Sequence, residues 1–383
     1  MEIDNTVTIF DPLSIDGLSG YTAGLCEGLY NNGKKVDLIC NKNYPFSSDN
    51  YVIKRFFFNY TQNFKKSKIR TYLRGLEYFY NWIKVLLYLY EKKPSTLHII
   101  WLLHYRIDRF FLKILQLFFN KIVIVYTAHN VIPHNATPIQ IKHLKQIYSK
   151  FDTIIVHGTY LKKKLLEIFP RIDNSNIIIS KHGIKKELKN EEGSIDISIK
   201  EFLSQKNKKI VLFLGLLNYN KGVDLLYKQW IHLKKDNVLL VIAGQKNSAY
   251  RELANIEHQI SSDKTVLYLP KYLTNIEVSY LFKNCHCVLL PYRHGSVSGV
   301  LFDASFHKKP TFSTNFGAIR DYIIDNKTGF VSFKGSEGIK ELLRIINDLS
   351  INDLENMGKN AFVHFKENYD WDNICQKLLP YYK

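Results

Sequence analysis

The sequence predicts an α/β protein of two doubly wound domains in tandem, with the carboxyl ends of their strands facing a cleft. Three observations predict it. The 383 residues exceed what one ordinary core holds and suit two domains of about 150–200 residues each. Short β-branched runs alternate with amphipathic stretches, which reads as βα units around parallel sheets. A polar, charged segment from Lys185 to Lys200, containing Gly193, then interrupts the alternation before it restarts.

In the first half, strands are expected at Val7–Phe10, Lys35–Cys40, Leu97–Trp101, Ile122–Thr127, Thr153–Val156 and Ile177–Ser180. Apolar-periodic helices lie between them, as at Tyr21–Tyr30 and Tyr160–Ile168. In the second half the strands are Lys209–Leu214, Val238–Ala243, Val266–Tyr268, Cys287–Leu290 and Pro310–Ser313. The expected domains are therefore 1–190 and 191–365. The apolar stretches Trp82–Tyr90 and Phe110–Phe119 are interrupted by lysine and fall short of the about 18 apolar residues a membrane span needs. The first residues carry acids and no basic segment, so no export signal is expected. Five scattered cysteines, an odd number, argue against a disulfide framework and for a reducing compartment.

With 46% hydrophobic and 23% charged residues the chain lies in the globular range, which excludes disorder and collagen-like or coiled-coil repeats. Its net charge of +18 is lopsided: residues 1–190 hold 28 Lys and Arg against 14 acids, residues 191–383 hold 25 against 21. Between Asn50 and Val125 the basic residues interleave with aromatics. Such a surface suits an anionic lipid headgroup layer, with rings at the boundary and cations on the lipid. It also suits phosphates and stacked bases, or it is simply a solvated helix face.

Three loops carry candidate chemistry. In FDPLSIDGLSGYTAGL, Gly17 and Gly20 follow a strand and precede a helix, where backbone N–H groups can approach a phosphate. A tight turn needs glycine in any case. In GLLNYNKGVDLL, Lys221 precedes Gly222 where a loop enters a helix, placing an ammonium to neutralise a diphosphate, or else a surface lysine. No GxxxxGK[ST] string occurs, so this is not a P-loop. In LLPYRHGSVSGVLFDASFHKKP, Ser298 is a natural N-cap, so the amides of Gly299 and Val300 form an anion site, and Asp303 one turn on can accept from two vicinal hydroxyls. The plainer alternative is a cap followed by a solvated acid. His129 follows a strand, either as a structural histidine or as a site residue. The one Asp-x-Asp string, Asp370-Trp371-Asp372, reads as the cap of the last helix, and Cys285-His286-Cys287 has the wrong spacing for zinc. No metal and no cofactor is expected.

As a set, these residues resemble the retaining family-4 glycosyltransferases of the GT-B fold, which build bacterial capsule, exopolysaccharide and lipopolysaccharide. The similarity runs from about Ile9 to Tyr381. Gly17–Tyr21 and NNGKKVDLIC match the first loop and helix, TAHNVIPH the histidine loop of His129, and KHGI the element before the linker. FLGLLNYNKGVDLL matches the phosphate-lysine loop, VIAG its following strand, and LPKYLTNIEVSYLFKNCHCVLLPY, with Lys271 and Tyr272, the nucleobase-side loop. NFGAIRDYIIDNKTGFV matches the glycine loop, and YDWDNI a helix returning to the N-terminal domain over about residues 366–383.

The chain departs from the family pattern twice. The first acid of the usual acid pair falls on Gly295, as in a sub-group with SGV at Ser298–Val300. The arginine that partners the lysine falls on Asn218, leaving Arg293 to reach in from the facing loop. The resemblance implies two Rossmann-like domains and a hexosyltransferase with a nucleoside-diphosphate sugar as donor. The diphosphate would rest on Lys221 and the Ser298–Val300 amides, with Asp303 on the ribose diol and His129 lining the sugar pocket. Transfer would retain the anomeric configuration. The expected acceptor is lipid-linked or a surface glycan, and the expected place is the cytoplasm, peripheral on the inner membrane face, with no nucleic acid partner. The alternatives are the same fold acting on nucleic acid or a small soluble acceptor, and a non-catalytic glycan-binding or scaffold relative.

Overall fold

The computed structural model describes residues 4–65, 67–133, 136–183, 194–205, 208–233 and 237–383. The chain divides into two compact units, residues 1–187 with 369–383, and residues 188–368.

The N-terminal unit opens with β1 (Asp4–Asp11), α1 (Asp16–Asn31), β2 (Lys35–Asn41) and β3 (Val52–Phe57). It continues with α2 (Lys68–Lys92), β4 (Pro94–Ile99), α3 (Tyr105–Phe118), β5 (Val123–Thr127) and α4 (Pro138–Tyr148), then β6 (Thr153–Val156), α5 (Thr159–Ile168) and β7 (Ile177–Ile179). The strands form one sheet ordered β3-β2-β1-β4-β5-β6-β7, every pair parallel. Val7 of β1 lies between Val36 and Thr96. β4 is buried at every position although it is not an apolar run, because its polar side chains are paired: Ser95 Oγ donates to Thr6 O at 3.2 Å and His98 Nε2 meets Thr127 Oγ1 at 2.7 Å. Phe10 stacks on Trp82 at 4.5 Å and Trp82 lies parallel to Phe111 at 5.3 Å, joining the sheet to α2 and α3. Burying a side chain such as Phe111 is worth about 1.5–3 kcal/mol.

Capping residues fix the helix starts. The Ser67 hydroxyl accepts from Arg70 N at the start of α2, whose end is set by Lys93 in the left-handed region before Pro94. Thr137 and Gln140 form a capping box on α4.

In the C-terminal unit α6 (Ile197–Leu203) leads into β8 (Lys209–Leu214), α7 (Val223–Trp230), β9 (Val238–Ala243), α8 (Arg251–Ala254), α9 (Glu257–Ser262) and β10 (Val266–Leu269). Then come α10 (Asn275–Asn284), β11 (Cys287–Leu290), α11 (Gly299–Phe306), β12 (Thr311–Thr314), β13 (Gly329–Ser332), α12 (Ser336–Asp348) and α13 (Ile351–Asn368). The sheet order is β10-β9-β8-β11-β12-β13, again all parallel. The expected linker is corrected in part. Up to residue 193 it lies outside the described residues, and its end is α6, started by Asp196, whose carboxylate accepts from Ser198 N at 2.9 Å.

The last helix, α14 (Trp371–Leu378), packs within the N-terminal unit. Asp370 caps it, accepting from Asp372 N at 3.0 Å. Trp371 fills a slot that only glycines leave open: a Cβ on Gly24 or Gly183 would run into its indole, and one on Gly28 would sit 2.7 Å from its carbonyl oxygen. The Tyr382 hydroxyl then meets His98 Nδ1 at 2.8 Å.

Candidate functional site

In a doubly wound sheet the crevice for a ligand opens where the strand order reverses, at the carboxyl ends of the two central strands. In the C-terminal unit that point lies between β8 and β11, paired through Cys287 and Val211. The loop after β8 makes a 3₁₀ turn, Tyr219–Lys221, and enters α7 through Gly222 at φ +69°. A Cβ on Gly222 would collide with the Pro291 carbonyl oxygen, so glycine is required for the two loops to touch. Arg293 N donates to Asn220 O at 2.8 Å, closing the contact.

This contact sets the position of Lys221. Its Nζ lies 3.7 Å from the centre of the buried Tyr292 ring, and the Tyr292 hydroxyl lies 3.1 Å from Ser298 Oγ. The ammonium and the start of α11 thus flank one tyrosine. Ser298 occupies the cap position as expected, but its side chain accepts no amide and turns to Tyr292 instead. Gly299 and Val300 are the first helical residues, whose N–H groups have no acceptor within the helix. Asp303 is half-buried one turn further along.

Two expectations are corrected, the free Arg293 and the loop placement of Gly17 and Gly20. Arg293 does not reach in as a free cation: Nη1 and Nη2 donate to the two carboxylate oxygens of Asp224 at 2.8 and 2.7 Å, and Nη1 also donates to Tyr219 O at 2.7 Å. Asp224 is buried, which alone would raise its pKa, but the bonds from Arg293 and Tyr250 hold it below the usual carboxylate range. The pair fastens the loop that carries Lys221. Lys271 is held by Glu277 at 2.8 Å beside the capping box that starts α10, and Tyr272 is exposed. Their loop follows β10, the second strand from β8. Gly17 and Gly20 are not loop residues: α1 already begins at Asp16, so Gly20 N–H lies within the helical hydrogen-bond ladder.

Asn218 supplies no charge, and its Oδ1 is buried without a hydrogen-bond partner beside the lysine turn. At Gly295 the Phe316 ring lies 3.1 Å from where a Cβ would stand and also packs on Tyr292 at 4.8 Å, so aromatic packing fills the place of the missing acid.

The N-terminal unit has its own reversal, between β1 and β4. Here Asp11 ends β1, fully buried, accepting from Leu13 N at 3.0 Å and from the Thr22 hydroxyl; burial pushes its pKa up to about 7. Trp101 follows β4, and His129, His157 and His182 follow β5, β6 and β7. His129 stacks on Trp101 at 4.8 Å and meets the edge of Tyr21 at 4.7 Å. Its Nδ1 is 3.2 Å from His157 Nε2, and His157 Nδ1 is 2.9 Å from the Ser180 carbonyl. Burial lowers the pKa of His157 to about 4, that of His98 to about 3, and that of His129 well below the ordinary range. His134, at the end of the same loop, lies outside the described residues.

Sequence reasoning missed Tyr292, Asp224, Trp101 and His157. The repeated histidine after successive strands was the one available signal.

Among the described residues no group of three or more His, Cys, Asp or Glu is placed to hold a metal ion, and no helix is long and apolar enough to cross a membrane. Helix α2 nevertheless exposes an apolar stripe, Ile69, Tyr72, Leu76, Ile83, Leu87 and Tyr90, at helical spacing. Lys65, Lys68 and Lys92 are exposed near its ends.

Residues 194–364 match the family model for glycosyl transferases group 1. An uncharacterized glycosyltransferase of Methanocaldococcus jannaschii is 26% identical over 182 residues, 47% of this chain and 46% of the relative. The chain spans about half the length of the curated relatives it matches, between 46% and 59%. The fold is similar to that of sucrose-phosphate synthase from Thermosynechococcus elongatus, with TM-score 0.73, 13% identity and 98% of both chains covered. It is also similar to Anabaena Alr3699/HepE in complex with UDP, with TM-score 0.70, 14% identity and 98% of both chains covered. At such identities the likeness carries the fold, which is GT-B, with two Rossmann-like domains.

Proposed function

With residues 194–364 a glycosyl transferases group 1 domain, we propose that the chain is a retaining glycosyltransferase that moves a hexose from a nucleoside-diphosphate sugar to a lipid-linked or surface-glycan acceptor. The observation that carries this reading is the line Lys221, Tyr292, Ser298 at the strand-order reversal of the C-terminal unit. When the bond from the anomeric carbon to the diphosphate breaks, negative charge grows on the leaving oxygen. Lys221 and the Gly299 and Val300 amides are fixed donors for that charge, so no reorganisation is needed at the moment of reaction. Asp303 takes the ribose hydroxyls, and the orphaned Asn218 Oδ1 is a further acceptor for the donor. The diphosphate is assigned to these groups rather than to a metal or cofactor. His129 meets a substrate hydroxyl.

The acceptor side is read from α2. Its apolar stripe, its flanking lysines and the basic excess of residues 1–190 suit an anionic membrane surface, which supports the reading of a peripheral enzyme on the cytoplasmic face. Thermal shift against UDP, GDP and ADP, followed by release of the matching diphosphate from its sugar donors, tests the transferase. A second reading, nucleotide or glycan binding without transfer, is favoured by the Asp224-bound Arg293 and by Phe316 filling the space at Gly295. It expects stabilisation by a nucleotide with no diphosphate released from any donor.

A further inference from the structure

The contacts around His129 fix where its proton sits. The Ser180 carbonyl can only accept, so His157 Nδ1, 2.9 Å away, is the donor. In a neutral imidazole the second nitrogen is then bare, so His157 Nε2 accepts. Its partner at 3.2 Å, His129 Nδ1, must carry a proton. His129 Nε2 is therefore a lone pair, and it is shut off from solvent without a hydrogen-bond partner. Native proteins seldom leave a buried acceptor unmet, and a ligand that donates to it is a physical reason to keep one.

We infer that His157 is a positioning residue which, through Ser180, holds His129 as the Nδ1–H tautomer, so that His129 offers a substrate hydroxyl an acceptor and never a donor. Burial supports the neutral state, lowering the pKa of His157 to about 4 and holding that of His129 well below the ordinary range. The rings hold the geometry: Trp101 stacks on the face of His129, while the edge of Tyr21 abuts it. Specificity follows. A neutral sugar presents the hydroxyl donor that Nε2 lacks, whereas a carboxylate or phosphate at that point sets its lone pairs against the lone pair of Nε2.

The identity of the ligand rests on the transferase reading; the tautomer does not. The test uses the full chain labelled with ¹⁵N-histidine and two-bond ¹H–¹⁵N spectra without substrate. The expected pattern is a protonated Nδ1 and a bare Nε2 for both His129 and His157. His157→Leu removes the acceptor and is expected to move the His129 proton to Nε2, with kcat/KM falling about tenfold, the worth of one hydrogen bond. His157→Gln, whose amide oxygen can stand where Nε2 stood, is expected to keep the pattern and most of the activity. A protonated His129 Nε2 in the parent protein, or an unchanged His129 pattern in His157→Leu, overturns the inference. The parent spectrum decides even if that variant fails to fold. Absence of nucleotide stabilisation together with the expected spectrum overturns the transferase reading and the sugar ligand, and leaves the tautomer standing.

Discussion

The two units share a parallel, doubly wound sheet whose strand order reverses at its middle, yet the two reversals are furnished in opposite ways. In the C-terminal unit charge is kept and managed: Asp224 ties up the Arg293 guanidinium, and the Lys221 ammonium rests on the Tyr292 ring beside the free amides of α11. In the N-terminal unit charge is removed: burial drives His98, His129 and His157 neutral and holds Asp11 protonated up to about pH 7. One topology thus carries an ammonium beside the first amides of a helix in one place and a cluster of buried, neutral histidines in the other. The loops, not the sheets, decide which.

The largest expected effect tests the managed charge. Arg293→Ala leaves Asp224 buried with Tyr250 but without a cation and is expected to destabilise the protein by about 3–5 kcal/mol in chemical denaturation, with Asp224→Asn on that background restoring part of it. A silent Arg293→Ala would erase the distinction between the two reversals.

The neutral side is tested by pH. An unfolded chain protonates His157 near the ordinary 6.5 and the folded one only near 4, so between these values unfolding takes up a proton and stability falls as pH falls. Relative to His157→Gln, the parent should lose roughly 3 kcal/mol between pH 6.5 and 4, as each pK unit is worth 1.36 kcal/mol. Asp11 and Asp108, whose pKa values burial raises to about 7, act in the opposite sense but equally in both proteins, so the difference isolates the imidazole. Parallel pH curves for the two proteins would show that the ring is not buried neutral.

Lys221→Ala tests the proposal that the ammonium holds a diphosphate. A matching nucleoside diphosphate at 100 times its dissociation constant should stabilise the parent by about 2.7 kcal/mol. The variant should lose most of that shift and about 100-fold in turnover. An unchanged shift would move the diphosphate elsewhere.

The smallest effect concerns the basic excess of residues 1–190. The protein should co-sediment with anionic vesicles and be released by salt, because surface attraction is screened over about 8 Å at physiological ionic strength. Lys65→Ala and Lys68→Ala should each weaken binding by about 1 kcal/mol. Equal binding to neutral vesicles would leave the stripe on α2 without its lipid.

Much of the C-terminal sheet is legible in the sequence because its strands are buried on both faces. Lys209–Leu214, Val238–Ala243 and Cys287–Leu290 are apolar runs whose limits coincide with β8, β9 and β11. β3 was hidden for the converse reason. As an edge strand it exposes Val52, and its Lys54 and Arg55 merge with the basic, aromatic pattern around them. The start of α1 was misplaced because glycines after a strand read as a turn. Lys221 and Ser298 could be read from local grammar, a glycine after a loop and a cap before a helix. Arg293 could not, because the carboxylate that holds it stands 69 residues away in sequence. His157 was equally hidden: its part depends on the Ser180 carbonyl, and a backbone oxygen leaves no mark on composition or spacing.

The seat of Trp371 between Gly24, Gly28 and Gly183 has a consequence for synthesis. A ribosome emits the N-terminal unit first, yet that unit lacks α14 and the contact from Tyr382 to His98 until the C-terminal unit has been made. The earlier portion therefore keeps an open slot until α14 has been made, so it is completed only by the last residues of the chain.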